Sequence, residues 1–468
     1  MNMHGDNDES ETLSTKPAAP PQVVRVIGGG LAGPEAALTA ARLGCDVDLY
    51  EMRTIIDGQP RLTPAHQTAD FGELVCSNSL KSESPNTAPW LLKQEMRRGG
   101  SALLRLADES AVPAGHALAV DRVEFSRRIN EAIAAEPRIR VFREEVTHLD
   151  LDAYALTILA TGPLTSDALS AEIVRLTGSE HLAFYDSISP IVETDSINME
   201  RVYMAARWDK GTADYINCPM NRAEFDTFLD ALLAAEPAET KEWEKADYFE
   251  GCLPIEILAR RGRDTLRFGP MKPVGLRDPR TGLTPWAVVQ LRQENLRADS
   301  YNLVGFQNHL KFGEQAKVLR LIPGLENANF LRYGQIHRNT YICAPVLLNE
   351  TLQLKTEPKL LFAGQLSGVE GYTESIATGL LAGIYAASLA RGVEPTPAPR
   401  ASALGSLVHY ITHAEVKHFQ PVNMTFDLIE PLEEELRKKI RDKKERHRLQ
   451  CERSLAAFDT WLAQAGPQ

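Results

Sequence analysis

Val23-Val24-Arg25-Val26-Ile27-Gly28-Gly29-Gly30-Leu31-Ala32-Gly33 is the stretch on which the reading of the whole chain turns. A β-branched apolar run leads into glycines and then into a helix-like segment, Glu35 to Leu43; a second apolar run, Val47-Asp48-Leu49-Tyr50, ends on Glu51. The order is strand, tight turn, helix, strand, acid. Gly28, Gly30 and Gly33 fit Gly-x-Gly-x-x-Gly: the first permits the turn, the second lets the backbone approach a pyrophosphate, and the third lets helix and strand pack closely. The amides of Gly28, Gly29, Gly30, Leu31, Ala32 and Gly33 then face the phosphates with the positive end of the helix dipole. Glu51 falls roughly 20 residues on, where an acid accepts hydrogen bonds from an adenosine ribose. The stretch predicts a Rossmann-like α/β domain with a parallel sheet that binds a dinucleotide.

The 468 residues suffice for two or three domains, and 43% hydrophobic with 24% charged residues is an ordinary globular composition. No uninterrupted apolar segment is long enough to cross a bilayer. Met1 to Gln22 is acidic and then Pro/Ala-rich, which predicts a disordered tail and not a signal peptide. Six cysteines form neither a disulfide framework nor a CxxC pair of zinc spacing, so no metal and a reducing, cytoplasmic setting are expected. The net charge of −12 argues against indiscriminate nucleic-acid binding but leaves room for a local basic face.

Past Glu51, the Gly/Pro/Thr-rich stretch Met52 to Phe71 reads as a long loop of the functional kind. Thr87 predicts an N-cap, with Pro89 in the first turn of a helix running towards Leu106. Ala117 to Arg122 reads as a strand, followed by a helix with Phe125, Ile129 and Ile133 on one face. A buried strand, Ala155 to Thr161, stops at Gly162, where ligands meet strand ends in doubly wound folds. These elements form the first part of the cofactor domain, residues 23–185. Short apolar runs rich in Pro, Gly, Trp and Tyr then predict an inserted, mainly antiparallel α+β domain over 186–323, with a helix-like stretch from Arg222 to Lys245. Over 324–400 the first texture returns: Lys359 to Ala363 ends at Gly364-Gln365, and a small-residue helix, Ser375 to Ala390, follows. Residues 401–468 read as a helical, basic C-terminal segment, with a local charge of +6 between Arg437 and Arg448. A solvated helix with dipole-matched charges and a phosphate-binding strip both fit that pattern.

The fingerprint, the strand ending at Gly162 and the late strand ending at Gly364-Gln365 together resemble two-domain FAD flavoproteins, in which the late segment meets the flavin. A second Gly-x-Gly-x-x-Gly is absent, so NAD(P)H would be a visiting reductant. Longer stretches resemble the folate- and FAD-dependent tRNA uracil-5-methyltransferases. They are Gly28 to Ala37, Glu73-Leu74-Val75-Cys76-Ser77-Asn78-Ser79, Phe249-Glu250-Gly251-Cys252-Leu253-Pro254-Ile255-Glu256, Val304-Gly305-Phe306-Gln307, His337-Arg338-Asn339-Thr340, Gly364 to Tyr372 and Phe419-Gln420-Pro421-Val422-Asn423. The resemblance spans Val23 to about Ile429. The flavoproteins that install aminomethyl groups on wobble uridine share the FAD domain, but their cysteine context is not seen here. The N-terminal tail and the basic C-terminal helix carry no residue-by-residue match.

The resemblance implies an enzyme that forms 5-methyluridine in the T-loop of tRNA. Methylenetetrahydrofolate supplies the carbon as a methylene relayed through reduced flavin, with FAD as cofactor and NAD(P)H as reductant. Uracil C5 is a poor nucleophile; a thiolate adding to C6 makes an enolate whose C5 can attack a one-carbon electrophile. The family's two functional cysteines fall on Cys252, read as the C6 nucleophile, and Cys76, read as the acid/base or flavin-side partner. The family also stacks the folate pteridine between flavin and a histidine, for which His309 and His337 are the candidates. A thiol with a pKa near about 8.5 needs a helix N-terminus or a cation to become thiolate. Asn78 and Ser79 as helix caps beside Cys76, and Lys81 and Arg260 as cations, are the candidates. Cys45, Cys218, Cys343 and Cys451 read as small buried hydrophobes. Three rival readings stand beside this one: the same chemistry on ribosomal RNA, an FAD oxidoreductase acting on a small molecule, and a non-enzymatic RNA-binding or redox-sensing flavoprotein.

Overall fold

The glycine fingerprint sits where a parallel strand hands over to a helix. A computed structural model describes residues 23–56, 59–63, 65–178, 182–187, 189–238, 253–334 and 336–465. The cofactor unit is built from β1 (Val23–Ile27), α1 (Ala32–Arg42), β2 (Asp46–Tyr50), α2 (Arg122–Ala135), β3 (Ile139–Phe142), β4 (Leu156–Leu159), β5 (Gln353–Leu354), β6 (Glu357–Phe362) and α3 (Tyr372–Ala390). The sheet order is β5-β6-β4-β1-β2-β3, parallel throughout except for the β5–β6 pair. Leu360 lies opposite Thr157, so the late strand joins the early ones in a single sheet. Val24, Val26, Val47, Leu49, Ile158 and Leu361 are all fully buried, as expected where helices cover both faces of parallel strands.

The small-residue composition of α3 has a packing cause. A Cβ on Gly379 would run into the backbone of Ala32, and one on Gly383 would come within 2.7 Å of the Ala36 carbonyl oxygen. The two helices therefore cross backbone to backbone, and α1 is held with its N-terminus at the sheet's carboxyl edge.

A second sheet is antiparallel in every pair. Its order is Tyr203–Met204, Tyr215–Met220, Ala287–Gln293, Ser300–Leu303, Ile191–Glu193 and Phe330–Arg332. The last strand carries this sheet past Pro323. The helix Arg222–Ala234 opens with a capping box between Asn221 and Glu224 and lays Phe225, Phe228, Leu229 and Leu232 into the sheet's core. It does not continue towards Lys245 as the sequence suggested. Ala235 is already extended (φ −64°, ψ 141°) and Pro237 bridges to Leu310, because a proline ring clashes with a preceding helical turn. Residues 239–252 lie outside the described residues, as does the N-terminal tail. A two-stranded antiparallel ribbon, Leu182–Ser187 with Ile336–Tyr341, forms the two connections between the sheets.

The helix begun at Thr87 also ends early. It covers Ala88–Arg98, breaks at Gly99-Gly100, and restarts as Ala102–Glu109 with the Ser101 hydroxyl accepting from Leu104 N. Two wholly buried carboxylates fix such helix starts from elsewhere in the chain. Glu35 accepts the N–H groups of Ala102 (3.2 Å) and Leu103 (2.8 Å). Glu95 accepts those of Ala403 and Leu404, both at 2.8 Å, and so ties the helix Ala403–His413 to the cofactor unit. The C-terminal helix Lys443–Ala465 buries Cys451, Phe458 and Trp461, and the Trp461 Nε1 donates to Thr396 O at 2.9 Å. The charged segment is thus amphipathic, with a covered apolar face. Among the described residues no helix is long and apolar enough to cross a membrane.

Burial pushes the Glu95 carboxyl up to about 8, against the two N–H donors that favour its charged form. A carboxyl raised above its unfolded value of 4.5 contributes stability below that value and loses it as pH climbs through about 8. Urea midpoints at low and high ends of that window should therefore show Glu95→Gln gaining on the parent as pH rises. A difference that stays constant with pH would show that Glu95 is charged throughout.

Candidate dinucleotide and thiol site

One cleft at the carboxyl ends of β1, β4 and β6 gathers residues that are far apart in sequence. Gly28, Gly29, Gly30, Leu31, Ala32, Glu51, Gly162, Gly364 and Gln365 all line it. Gly33 does not; it packs beneath, where a Cβ would collide with the Gly28 carbonyl oxygen. Gly28 itself has φ +119° and lies against the backbone of Ala160 and Thr161, so neither turn nor strand contact tolerates a side chain there. A Cβ on Gly30 would meet nothing within 4 Å, which leaves its backbone open to the cleft. The first amides of α1 have no intrahelical acceptor, and Tyr372 and Ser375 from the start of α3 face the same space. Two helix N-termini, bare glycine backbone and an acid suit a pyrophosphate-bearing cofactor such as FAD.

Glu51 is more heavily engaged than the sequence suggested. Its Oε2 accepts from Gly29 N (2.6 Å) and its Oε1 from Arg53 N (2.8 Å) and Arg53 Nε (3.0 Å). Arg53 also donates to Glu51 Oε2 and to the Gly29 carbonyl, both at 3.2 Å, and pairs with Glu73 at 3.5 Å. Burial would raise the Glu51 carboxyl, but the Arg53 charge and these donors outweigh it and hold it below the usual range. Four N–H donors fill the carboxylate's ordinary accepting sites, so a ribose hydroxyl must displace one of them. Arg53, Glu73 and His66 line the cleft, and sequence reasoning missed all three. Arg53, two residues beyond the acid, is the one that local spacing could have flagged.

Cys76 lies on a loop between this cleft and the antiparallel sheet. The Tyr372 hydroxyl accepts from Cys76 N (2.7 Å) and Ser77 N (3.2 Å), which ties the loop to the first turn of α3. Arg122 donates to the carbonyls of Leu74 (2.6 Å) and Cys76 (3.4 Å) and pairs with the buried Glu294 of the second unit. Asn78 and Ser79 cap no helix: Ser79–Ser82 is a strand, and the Asn78 amide donates to Val120 O and Gln293 O. A polar run serves equally well for a strand whose side chains bridge two units. Lys81 is engaged with Glu374 (2.7 Å) and Asn423 (2.6 Å), so Arg122 takes the place expected of it at the Cys76 loop. The Arg122 guanidinium, which donates to the Cys76 carbonyl, thus puts a cation on the loop that carries the thiol.

Cys252 lies outside the described residues, as does the side chain of His337. The chain resumes at Leu253, and Pro254 opens the short helix Ile255–Arg260. His309 stands beside this point and not in the cleft: its N–H donates to Glu256 Oε1 (2.8 Å) and its carbonyl accepts from Ala238 N (2.9 Å). It therefore anchors both flanks of the segment that carries Cys252. Burial lowers its imidazole to about 4 and raises the Glu256 carboxyl to about 7. Cys45, Cys218 and Cys451 are buried, and burial raises their thiols, Cys451 to about 12. Cys343 is half-buried at the start of the short helix Ala344–Leu347.

Sheet, glycine loop and cleft define a doubly wound dinucleotide-binding protein with an inserted antiparallel unit. The sequence model of the family GIDA, Glucose inhibited division protein A, matches residues 23–394. A Koribacter versatilis (strain Ellin345) protein named methylenetetrahydrofolate--tRNA-(uracil-5-)-methyltransferase TrmFO is 69% identical over 440 residues, covering 94% of this chain and 98% of that protein. Proteins of the same name from Solibacter usitatus (strain Ellin6076) and Bacillus cytotoxicus are 59% and 53% identical, each over 94% of this chain and over 98% and 99% of their own length. The solved structure of Aquifex aeolicus GidA in its form II crystal superposes with a TM-score of 0.67 at 18% identity, covering 94% of this chain and 73% of that one, a likeness of fold. The chain belongs to the GIDA family, among the proteins named methylenetetrahydrofolate--tRNA-(uracil-5-)-methyltransferase.

Replacing Arg53 by Met leaves the buried Glu51 carboxylate without its cation, a change that costs about 3–5 kcal/mol in comparable buried pairs. The variant should fold but retain FAD at least about tenfold more weakly, measured by flavin fluorescence on dilution. Flavin retention equal to the parent's would remove Arg53 and Glu51 from the account of the cleft.

Proposed function

We propose that this chain methylates C5 of a T-loop uridine in tRNA, taking the carbon from methylenetetrahydrofolate and the electrons from NAD(P)H through FAD. The observation that carries this reading is the near-full-length identity, 53–69%, to proteins named for that reaction. Those names weigh against ribosomal RNA and against oxidation of a small molecule. A tRNA substrate in turn favours a cytoplasmic setting. We take the parallel unit, assembled from both halves of the chain, as the cofactor domain, and the antiparallel unit as an insertion that ends with Phe330–Arg332.

The glycine loop and the N-terminus of α1 are assigned to the pyrophosphate, Glu51 to the ribose, and Gly162, Gly364 and Gln365 to the flavin end. When bound, reduced FAD supplies the electron pair that turns the transferred methylene into a methyl group. The protein's task is to make C5 nucleophilic and then to release the product. The Cys252 thiolate adds to C6, and the electrons of the C5–C6 double bond move into the enolate. C5 then forms the new carbon bond. Cys76, as thiolate, takes the C5 proton, the bond between the transferred carbon and its carrier nitrogen breaks with the electron pair going to that nitrogen, and once a hydride has made the methyl group the C5–C6 double bond re-forms by expelling the Cys252 thiolate. Arg122 supports Cys76 by neutralising the charge on its loop, and Glu294 fixes Arg122 in place. His309, uncharged at neutral pH, and His337 are the two candidates for stacking on the pteridine.

Arg437, Lys438, Lys439, Arg441, Lys443 and Lys444 are all exposed, whereas Arg448 is engaged by Glu445 and Glu452 and Lys438 by Glu434. That strip is the proposed contact with RNA phosphates. Reversing Lys438, Lys439, Lys443 and Lys444 to Glu should weaken T-arm RNA binding and flatten its salt dependence, by about 0.7–0.9 in log–log slope for each phosphate no longer neutralised. An unchanged slope would return the helix to a merely solvated face.

Trapping separates the two cysteines. T-arm RNA carrying 5-fluorouracil has no C5 proton to remove, so the C6 adduct should persist as a covalent band with the parent and with Cys76→Ala. Cys252→Ala should give no band. A band from Cys252→Ala and none from Cys76→Ala would reverse the assignment.

A further inference from the structure

We propose that Glu350, His409 and His413 form a site for a divalent transition cation of the zinc class, outside the dinucleotide cleft. Cysteine spacing alone leads to an expectation of no metal; this cluster uses no cysteine. His409 and His413 stand one turn apart on the helix Ala403–His413, so both rings share a face, stacked at 4.3 Å with 15° between their planes. Glu350 meets them from the turn before β5. Its Oε1 lies 3.4 Å from His409 Nδ1 and 3.7 Å from His413 Nδ1, and one ligand atom from each residue fits within 4.8 Å of the others. Such spacing suits donors that each lie about 2.0–2.2 Å from one ion.

Two features hold the donors ready. Asn349 Oδ1 accepts from Thr351 N and Gln353 N, both at 3.0 Å, and Leu352 has φ +63°, so the turn presenting Glu350 is fixed by its own hydrogen bonds. The helix is set by its buried face, Leu404, Leu407, Val408 and Ile411, and by Glu95 at its start. His413 is its last residue, where the negative end of the dipole favours a cation. A pocket lined by His409, His413, Ser406 and Asp427 opens beside the rings and gives space for a water as the remaining ligand. Two imidazoles and one carboxylate suit zinc, cobalt or nickel, whereas magnesium and calcium prefer oxygen donors alone. A bound ion would clamp the helix Ala403–His413 to the edge of the parallel sheet.

Cobalt is the probe, because its visible absorption reports coordination directly. The full-length protein, stripped with a chelator, should bind Co2+ with an intense visible band that Zn2+ abolishes and Mg2+ does not. Glu350→Gln and the double variant His409→Ala/His413→Ala should each lose about tenfold or more in affinity. Zn2+ should raise the Tm of the parent and leave that of the double variant unchanged. No cobalt band in the parent, or an equal band in the double variant, would overturn the proposal.

Discussion

The contact between Gly33 and the carbonyl of Gly28 is the constraint on which the structure depends. No side chain fits between them, and none fits between Gly28 and the end of β4. Because both distances are closed, α1 leaves the sheet at once and points its N-terminus into the space above the strands. Gly379 and Gly383 repeat the device from the far end of the chain by letting α3 lie backbone to backbone on α1. The cleft is the consequence: two helix starts and three strand ends converge on a space bordered by bare backbone. In energetic terms this is close packing used for position, since the same volume filled by alanine would force the elements apart.

Buried charge then organises what packing leaves open. Arg53 neutralises Glu51 and holds the Gly29 carbonyl, while the Glu51 carboxylate takes the Gly29 N–H, so the loop is gripped from both sides. Arg122 and Glu294 do the same between the two sheets, at the loop of Cys76. Removing one partner from such a pair is far more costly than lacking both. That asymmetry makes both pairs effective fasteners, Glu51–Arg53 at the glycine loop and Arg122–Glu294 between the two units. One arginine secures the nucleotide end of the cleft and the other the thiol. Tyr372, lining the cleft while accepting from Cys76 N, connects the two.

The fold is legible in the sequence because its deciding features are local. β1, the glycines, α1, β2 and Glu51 fall within a single run, and the strand ends at Gly162 and Gly364 repeat the same signal. Nine of the expected cofactor residues accordingly share one cleft. What sequence does not yield is of two kinds, local breaks hidden under a continuing pattern and contacts between distant segments. The break at Gly99-Gly100 and the stop before Pro237 are local signals that an apolar periodicity obscures. Asn78 and Ser79 defeat a local reading because a polar run suits a helix cap and a bridging strand equally, and only the distant Val120 and Gln293 decide between them. Arg122 as partner of Glu294, Glu95 as cap for Ala403, and Glu350 beside His409 are separated by 172, 308 and 59 residues. No spacing rule reaches that far.

On the proposed reading, the cleft and the two cysteines together move one carbon from folate to uracil. Its most direct test is to incubate the purified protein with T-arm RNA, FAD, NADPH and methylenetetrahydrofolate labelled in its methylene carbon. Label should appear in the methyl group of 5-methyluridine, dependent on folate, FAD and reductant together. A yellow, NADPH-reducible protein that leaves the RNA unlabelled would contradict it.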